Sequence, residues 1–268
     1  MKFALVNGKK TEAAKAVRGF CPSCGSELVA KCGELRVDHW AHKGNRDCDL
    51  WAENETEWHR AWKDKFPINW QEVDHRDDSG EQHRADVKTA SGWVLEFQHS
   101  YLNPEERRAR NSFYRKLVWV VDGARRKTDE KQFQKILSES TRLPTQIPIL
   151  QVHFPDECRL LKEWQDNNAL VFFDFQEMGN TEQPMLWFLF PKMPSGDTYM
   201  FPFLRLNFIE FHNNNKFDEL VNNTILPIHA ELNKRKRTEQ VNSMRGRTSG
   251  LPGFERYVAN KRRRQKRF

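Results

Sequence analysis

His83-Arg84-Ala85-Asp86-Val87-Lys88-Thr89-Ala90-Ser91-Gly92-Trp93-Val94-Leu95-Glu96-Phe97-Gln98 is the stretch on which the reading of the fold turns. Strand-forming runs flank Ala90-Ser91-Gly92, which predicts a β-hairpin with strands near Gln82–Thr89 and Trp93–Ser100. A three-residue loop with Gly92 in the left-handed conformation pairs Thr89 with Trp93, and that register sets Asp86 directly opposite Glu96. Opposed residues share a sheet face with Cβ atoms about 5 Å apart, while Leu95 and Phe97 turn to the other face and the core. Two carboxylates so close repel unless a cation sits between them, and hard oxygen ligands favour Mg²⁺ or Mn²⁺. Gln98, two residues past Glu96, projects to the same side, where it can orient an attacking water.

Working outward, a helix is expected from Asn54 to about Phe66, with Trp51, Trp58, Trp62 and Phe66 on one apolar stripe. At 100° per residue Glu55 lies about 60° from Trp58, beside the stripe, and Glu57 about 100° away on the other side. Glu55 is therefore favoured as a third acid, and Glu57 has a capping-box role available with Asn54. His59, one turn after Glu55, is placed to hydrogen-bond it or to meet a phosphate, and Lys63 is a candidate contact to a DNA backbone. A second helix is expected over Pro104–Arg115, carrying Arg107, Arg110 and Tyr114 on one stripe suited to phosphate binding. The competing reading of that stripe is a solvated face with pairs such as Glu106 with Arg110. The wholly apolar Leu117–Val121 completes an order of helix, strand, strand, helix, strand over residues 51–150, an α/β core with a mixed sheet.

Residues 1–50 hold Cys21-Pro22-Ser23-Cys24 and, after 14 residues, His39-Trp40-Ala41-His42. Two close pairs of borderline ligands in a segment too small for its own core suggest structural Zn²⁺ on Cys21, Cys24, His39 and His42. Cys48 is an alternative for either histidine, Cys32 also lies nearby, and a module without metal is the competing reading. Residues 151–232 read as a C-terminal α+β extension with strand-like runs at Ala169–Phe173 and Met185–Phe190. A basic, flexible tail is expected over 233–268, where residues 234–268 carry 13 Lys/Arg against two Glu in a chain of net charge +7. A basic tail on a mildly acidic body suits sequence-independent attraction to DNA, against the alternative of a solvated tail. With no bilayer-length apolar run and no signal-peptide pattern, the expected setting is the cytoplasm without membrane contact.

The order of Cys21-Pro22-Ser23-Cys24, His39-Trp40-Ala41-His42, Glu55-Thr56-Glu57-Trp58-His59, His83-Arg84-Ala85-Asp86-Val87, Glu96-Phe97-Gln98-His99-Ser100 and Trp119-Val120-Val121-Asp122-Gly123 resembles the competence protein CoiA-like family across roughly residues 18–125. The resemblance implies a PD-(D/E)XK, restriction-endonuclease-like core behind a small zinc-ribbon-like module, and DNA processing during natural transformation, with recombination proteins as candidate partners. By position it assigns Asp86, Glu96 and Gln98 to the catalytic motif, with Glu55, or Glu57, as the helix acid. The wider class ends its motif in Lys where this chain has Gln98; Lys88, on the same strand face as Asp86, is a candidate replacement. Two functions follow: a metal-dependent DNA nuclease, or a DNA-binding, recombination-assisting protein on a nuclease fold with cleavage reduced or lost. A protein-interaction adaptor is a more distant third.

Overall fold

The computed structural model describes residues 1–33, 36–44, 48, 49, 51, 55–77, 80–176 and 182–249, with Arg36 and 239–249 described by backbone alone. Asn54 and its expected capping box lie outside the described residues, as does the basic tail from residue 250 on.

The first sheet is antiparallel and five-stranded: β1 (Phe3–Val6), β2 (Lys9–Glu12), β3 (Arg18–Phe20), β4 (Glu27–Gly33) and β5 (Arg36–His42), in the order β2-β1-β3-β4-β5. Its core is only Ala4, Cys21, Leu28 and Trp40 with a few half-buried neighbours, too little to hold a fold without further ties.

The second sheet has nine strands: β6 (Gln71–Arg76), β7 (Gln82–Lys88), β8 (Val94–Gln98), β9 (Leu117–Asp122), β10 (Thr141–Arg142), β11 (Leu150–Val152), β12 (Leu170–Asp174), β13 (Met185–Leu189) and β14 (Thr198–Leu204). Their order is β10-β11-β14-β13-β12-β9-β8-β7-β6, and β9 runs parallel to both β8 and β12 while the other pairs are antiparallel. The parallel centre follows from composition, because β9 and β12 are buried along their whole length and need cover on both faces. Helices supply it: α1 (Glu57–Lys63), α2 (Pro104–Phe113), α3 (Asp129–Glu139), α4 (Arg159–Trp164), α5 (Arg205–Asn213), α6 (Phe217–Leu220) and α7 (Leu226–Ser249). Leu95, Phe97, Val118, Val120 and Phe172 pack with Trp62, Phe66, Phe208 and Phe217 on one side. Val94, Trp119, Val121, Val171 and Phe173 pack with Phe113, Phe133, Ile136, Leu161 and Trp164 on the other. The result is a mixed α/β fold with one large mixed sheet and one small N-terminal sheet.

The hairpin forms in the expected register: Thr89 N–H donates to the Trp93 carbonyl at 2.8 Å, Gly92 takes φ +83°, and Val87 pairs with Leu95 and Lys88 with Val94. Elsewhere the structure differs from expectation. Helix α1 starts at Glu57 under a Thr56 cap that accepts from His59 N–H, so Glu55 precedes the helix instead of riding on it. Trp51 is likewise off the stripe; its ring stacks on His83 with centroids 3.2 Å apart, on the opposite side of the sheet from Trp62 and Phe66. Strand β6 was not anticipated. The expected boundary after residue 150 falls inside β11, and β12 to β14 belong to the same sheet as β7 and β8. Helix α7 runs through the expected boundary at 233, so the start of the basic tail is helical.

Candidate active site and metal centre

Cys21, Cys24, His42 and Cys48 place one ligand atom each within 4.8 Å of one another, the one such cluster of three or more His, Cys, Asp or Glu residues among the described residues. All the cysteines are free thiols. Cys21 Sγ lies 3.6 Å from Cys48 Sγ, and Cys24 Sγ lies 3.3 Å from His42 Nε2. A tetrahedron with metal–sulfur bonds of ~2.3 Å has edges of about 3.8 Å, so three thiols and an imidazole at these separations fit a metal such as zinc. The turn after Cys21 is closed by Gly25 N–H donating to the Cys21 carbonyl at 2.9 Å. Burial disfavours the Cys21 thiolate, but the Cys24 and Ser23 amides and the Arg84 guanidinium outweigh it and bring the thiol down to about 6. Burial, and then the neighbouring Cys21 sulfur 3.6 Å away, push Cys48 up to about 12.

Of the ligand sets that the sequence allows, the cluster matches the one in which Cys48 replaces a histidine, and the histidine replaced is His39. His39 is not in the cluster; its Nδ1 sits 2.9 Å from the Val37 carbonyl, and Cys48 takes the fourth place. The reason is strand parity. His39 and His42 both lie on β5, three residues apart, and so leave the strand on opposite faces. Cys32, on β4, is also outside the cluster.

The carboxylates meet in a cleft of about 920 Å³ between the small sheet and the edge of the large one. Glu55, Glu57, His59, Lys63, Glu72, Asp86, Glu96, Gln98 and Arg110 all line it, and His39–His42, Gly44 and Cys48 form part of its opposite wall. Its lining holds six carboxylates, Asp49, Glu55, Glu57, Glu72, Asp86 and Glu96, against the three side-chain cations Lys63, Arg84 and Arg110. Such a cleft repels a phosphodiester unless it takes up positive charge.

Asp86 Oδ2 accepts the Phe97 N–H at 3.0 Å, which ties the carboxylate to the facing strand. Glu96 is buried at 5% exposure, and its Oε2 takes Arg110 Nη1 at 3.2 Å while Oε1 has no hydrogen-bond partner among the described residues. Burial, and then the charge of Asp86, hold the Glu96 carboxyl well above the usual carboxylate range, with Arg110 opposing them. Gln98 is buried, and its Nε2 donates to the Ser100 carbonyl and hydroxyl at 3.2 Å each. Glu55 pairs with Lys63 at 2.8 Å, buried as expected for an inward acid although it is not helical. Glu57 is exposed at the first position of α1, and His59 turns its Nδ1 to Thr56 Oγ1 at 2.8 Å instead of to Glu55.

The four residues expected to present cations or a phenol to DNA are buried. Lys63 is 3% exposed and enclosed by Glu55, Glu72 and Asp86. Arg107 pairs with Asp166 and the Glu163 carbonyl and lies over the Trp164 ring. Arg110 joins Glu96, Glu106 and the Trp51 carbonyl, the Glu106 pair being the one foreseen in the competing reading. Tyr114 is 2% exposed with no partner for its hydroxyl among the described residues, and burial followed by the nearby Glu96 charge raises its phenol. The stripe faces the sheet because the guanidiniums find carboxylates and carbonyls beneath them, which a helical wheel does not show. Lys88 does not line the cleft; its Nζ is 2.9 Å from His75 Nδ1.

Three residues of the site were not foreseen. Glu72 sits on β6 at φ +46°, a left-handed backbone rare for Glu, and its carboxylate accepts Lys2 N–H at 2.6 Å, Phe3 N–H at 3.0 Å and Lys63 Nζ at 3.0 Å. Arg84 ties Asp74 on β6 to Ser23 and Cys21 of the metal turn. Asp49, next to Cys48, takes His83 Nδ1 and Arg84 N–H at 2.9 Å each. Glu72 on an edge strand and Asp49 outside any element have no periodicity to single them out, and Arg84, on β7, is drawn in by Asp74, Ser23 and Cys21, distant in sequence.

Residues 6–50 match the family model of the competence protein CoiA N-terminal domain. The competence protein CoiA of Bacillus subtilis (strain 168) is 39% identical over 61 residues, which is 23% of this chain and 16% of that protein's length. No solved structure matches. No helix among the described residues is long and apolar enough to cross a membrane.

Proposed function

We propose that this chain is a metal-dependent DNA nuclease on a PD-(D/E)XK-like core, with Asp86 and Glu96 holding Mg²⁺ or Mn²⁺. The observation that carries this reading is Asp86 on β7 and Glu96 on β8 lining one acidic cleft, with Glu96 Oε1 buried and unpartnered among the described residues. A divalent ion would offset the burial and the Asp86 charge that together hold the Glu96 carboxyl high. When bound, it supplies Lewis-acid polarisation of a phosphoryl oxygen and a more acidic water. The chain's own residues hold the frame: the Phe97 amide fixes Asp86, Arg110 fixes Glu96, and Ser100 fixes the amide of Gln98. Hydrolysis consumes one water, whose oxygen forms the new P–O bond as the ester P–O bond breaks, and the proton it loses ends on the leaving oxygen. The similarity of residues 6–50 to CoiA makes competence-linked DNA processing the fitting context, with recombination proteins as partners.

A second reading is favoured by one observation: Gln98 is neutral and its amide nitrogen is engaged with Ser100, the arrangement of a DNA-binding protein with little cleavage. Incubating linear single- and double-stranded DNA with the purified chain and Mg²⁺ or Mn²⁺ separates the two. Cutting by the wild type, reduced at least about 1000-fold in both Asp86→Ala and Glu96→Ala, is the expected result. Salt-sensitive DNA binding with no cutting by the wild type under either ion overturns the nuclease reading.

A further inference from the structure

We propose that Lys63 is a catalytic residue of this site, delivering from α1 the fixed positive charge that β8, with its neutral Gln98, does not carry. The inference rests on the nuclease reading and adds to it the group that meets the phosphate.

Of the three cationic side chains lining the cleft, two are committed elsewhere. Arg110 is spent on Glu96, Glu106 and the Trp51 carbonyl, and Arg84 on Asp74, Ser23 and Cys21. Lys63 is the one lysine in the lining among the described residues. Its Nζ donates to Glu72 Oε1 at 3.0 Å and forms an ion pair with Glu55 Oε1 at 2.8 Å. The next carboxylate, Asp86, has its Oδ1 at 3.9 Å, beyond hydrogen-bond length, so Glu72 is the one hydrogen-bond acceptor of the ammonium among the described residues. If Asp86 held an ion, a phosphoryl oxygen on it would have the Lys63 ammonium beside it. The ammonium would then stabilise charge gathered on the phosphoryl group during hydrolysis while keeping its own proton.

Glu55 and Glu72 are positioning residues in this arrangement. Glu72 enters from the unusual backbone at φ +46°, pinned by the Lys2 and Phe3 amides, so the small sheet takes part in aiming Lys63. A buried lysine used only as an anchor would need its carboxylates but no place in the cleft lining. The position 3.9 Å from Asp86 predicts a further effect, because an ammonium there opposes a divalent ion.

The test compares wild type, Lys63→Gln, Gln98→Lys and the double variant Lys63→Gln/Gln98→Lys, each checked for folding by thermal melting. It measures DNA cleavage at saturating Mn²⁺ and, without DNA, Mn²⁺ affinity by calorimetry. Lys63→Gln is expected to lose on the order of 100-fold in cleavage while binding Mn²⁺ at least about tenfold tighter. The double variant is expected to recover cleavage, since the lysine introduced by Gln98→Lys returns a charge to the same space. Wild-type cleavage in Lys63→Gln overturns the inference and leaves the nuclease reading standing. So does loss of cleavage and Mn²⁺ affinity together with no recovery by Gln98→Lys, the pattern of a mere anchor. If Lys63→Gln does not fold, Lys63→Gln/Glu72→Gln removes the buried pair together and is read against Lys63→Gln/Glu72→Gln/Gln98→Lys by the same criteria. An inert wild type that gains cleavage with Gln98→Lys also overturns it, because Lys63 then does not suffice. If both are inert, the nuclease reading itself fails and the inference falls with it.

Discussion

The chain builds two clusters of ligand-type side chains that meet at one cleft, and they are made in opposite ways. At the thiol cluster, Cys21, Cys24, His42 and Cys48 converge within 4.8 Å, with Arg84 touching only Cys21 at the edge, and the separations already suit a tetrahedron. At the carboxylate cluster, Asp86, Glu96, Glu55 and Glu72 are interleaved with Lys63 and Arg110, so much of the negative charge is compensated before any ion arrives. A cluster of soft ligands whose partners are chiefly one another is suited to permanent occupancy, because a small sheet with so slight a core would gain rigidity from a metal. An acid cluster with its own cations folds without an ion and can take one up and release it.

The largest effect expected from this contrast is on the thiol side. Structural zinc sites contribute apparent free energies on the order of 10 kcal/mol, so chelation or Cys48→Ala should lower the melting temperature by at least about 10 °C. Elemental analysis should find close to one metal per wild-type chain and little in Cys48→Ala. Removal of Mg²⁺ should leave the melting curve nearly unchanged. An equal loss of stability from Mg²⁺ removal would break the contrast.

On the carboxylate side, Arg110→Ala is expected to cost about 3–5 kcal/mol, measured by denaturant unfolding. It strips Glu96 of its cation while Asp86 stays nearby, and the Trp51 carbonyl and Glu106 lose a donor as well. The double variant Arg110→Met/Glu96→Gln should recover much of the loss, since neither member of the pair is then left charged. Failure to recover would mean that Arg110 acts chiefly through Trp51 and the segment following Cys48.

Glu72 gives the pH dependence. Burial disfavours its charged form, but Lys63, the chain N-terminus and the Lys2 amide outweigh burial and hold its carboxyl well below the usual range. A carboxylate with a depressed folded value contributes stability that is fully present above its unfolded value of about 4.3 and is lost as pH falls below it. Glu72→Gln should therefore be less stable than wild type at pH 7, by on the order of 2 kcal/mol, with the difference shrinking as pH falls from about 4. Melting temperatures across pH 3 to 7 measure this. A difference that does not shrink in acid would assign the role of Glu72 to its shape and backbone alone.

How much of this was legible in the sequence differs between the regions for physical reasons. The hairpin could be read because Gly92 and the loop length fix a register, which pairs Val87 with Leu95 and brings Asp86 and Glu96, the next residue on each strand, into one cleft. The start of α1 could not, since Thr56 is also a good cap and lies two residues past the expected one. Strand β6, Gln71-Glu72-Val73-Asp74-His75-Arg76, offers one aliphatic residue in six, so Glu72 stayed hidden until the edge of the sheet was built. Arg107, Arg110 and Tyr114 share a helix stripe that a wheel reads as solvated, and only tertiary partners such as Glu96 and Asp166 draw it inward.

The smallest effect tests the finest part of the comparison. His39→Ala is expected to leave metal content and melting temperature near wild type, with a change within about 0.5 kcal/mol, whereas His42→Ala should lose the metal. Both histidines stand in the same His39-Trp40-Ala41-His42 stretch, and spacing alone ranks them equally as ligands. The strand separates them: Trp40, between the two, goes into the small core at 1% exposure, and His42, an even number of residues from Trp40, leaves β5 on the same side. His39 leaves on the other side and closes a local contact with the Val37 carbonyl. Had β5 been a turn, as a ligand knuckle would be, both imidazoles could have converged and Cys48 would have been superfluous. Metal retained in His42→Ala but lost in His39→Ala would require that turn, and with it a different path for the chain from Arg36 to Cys48.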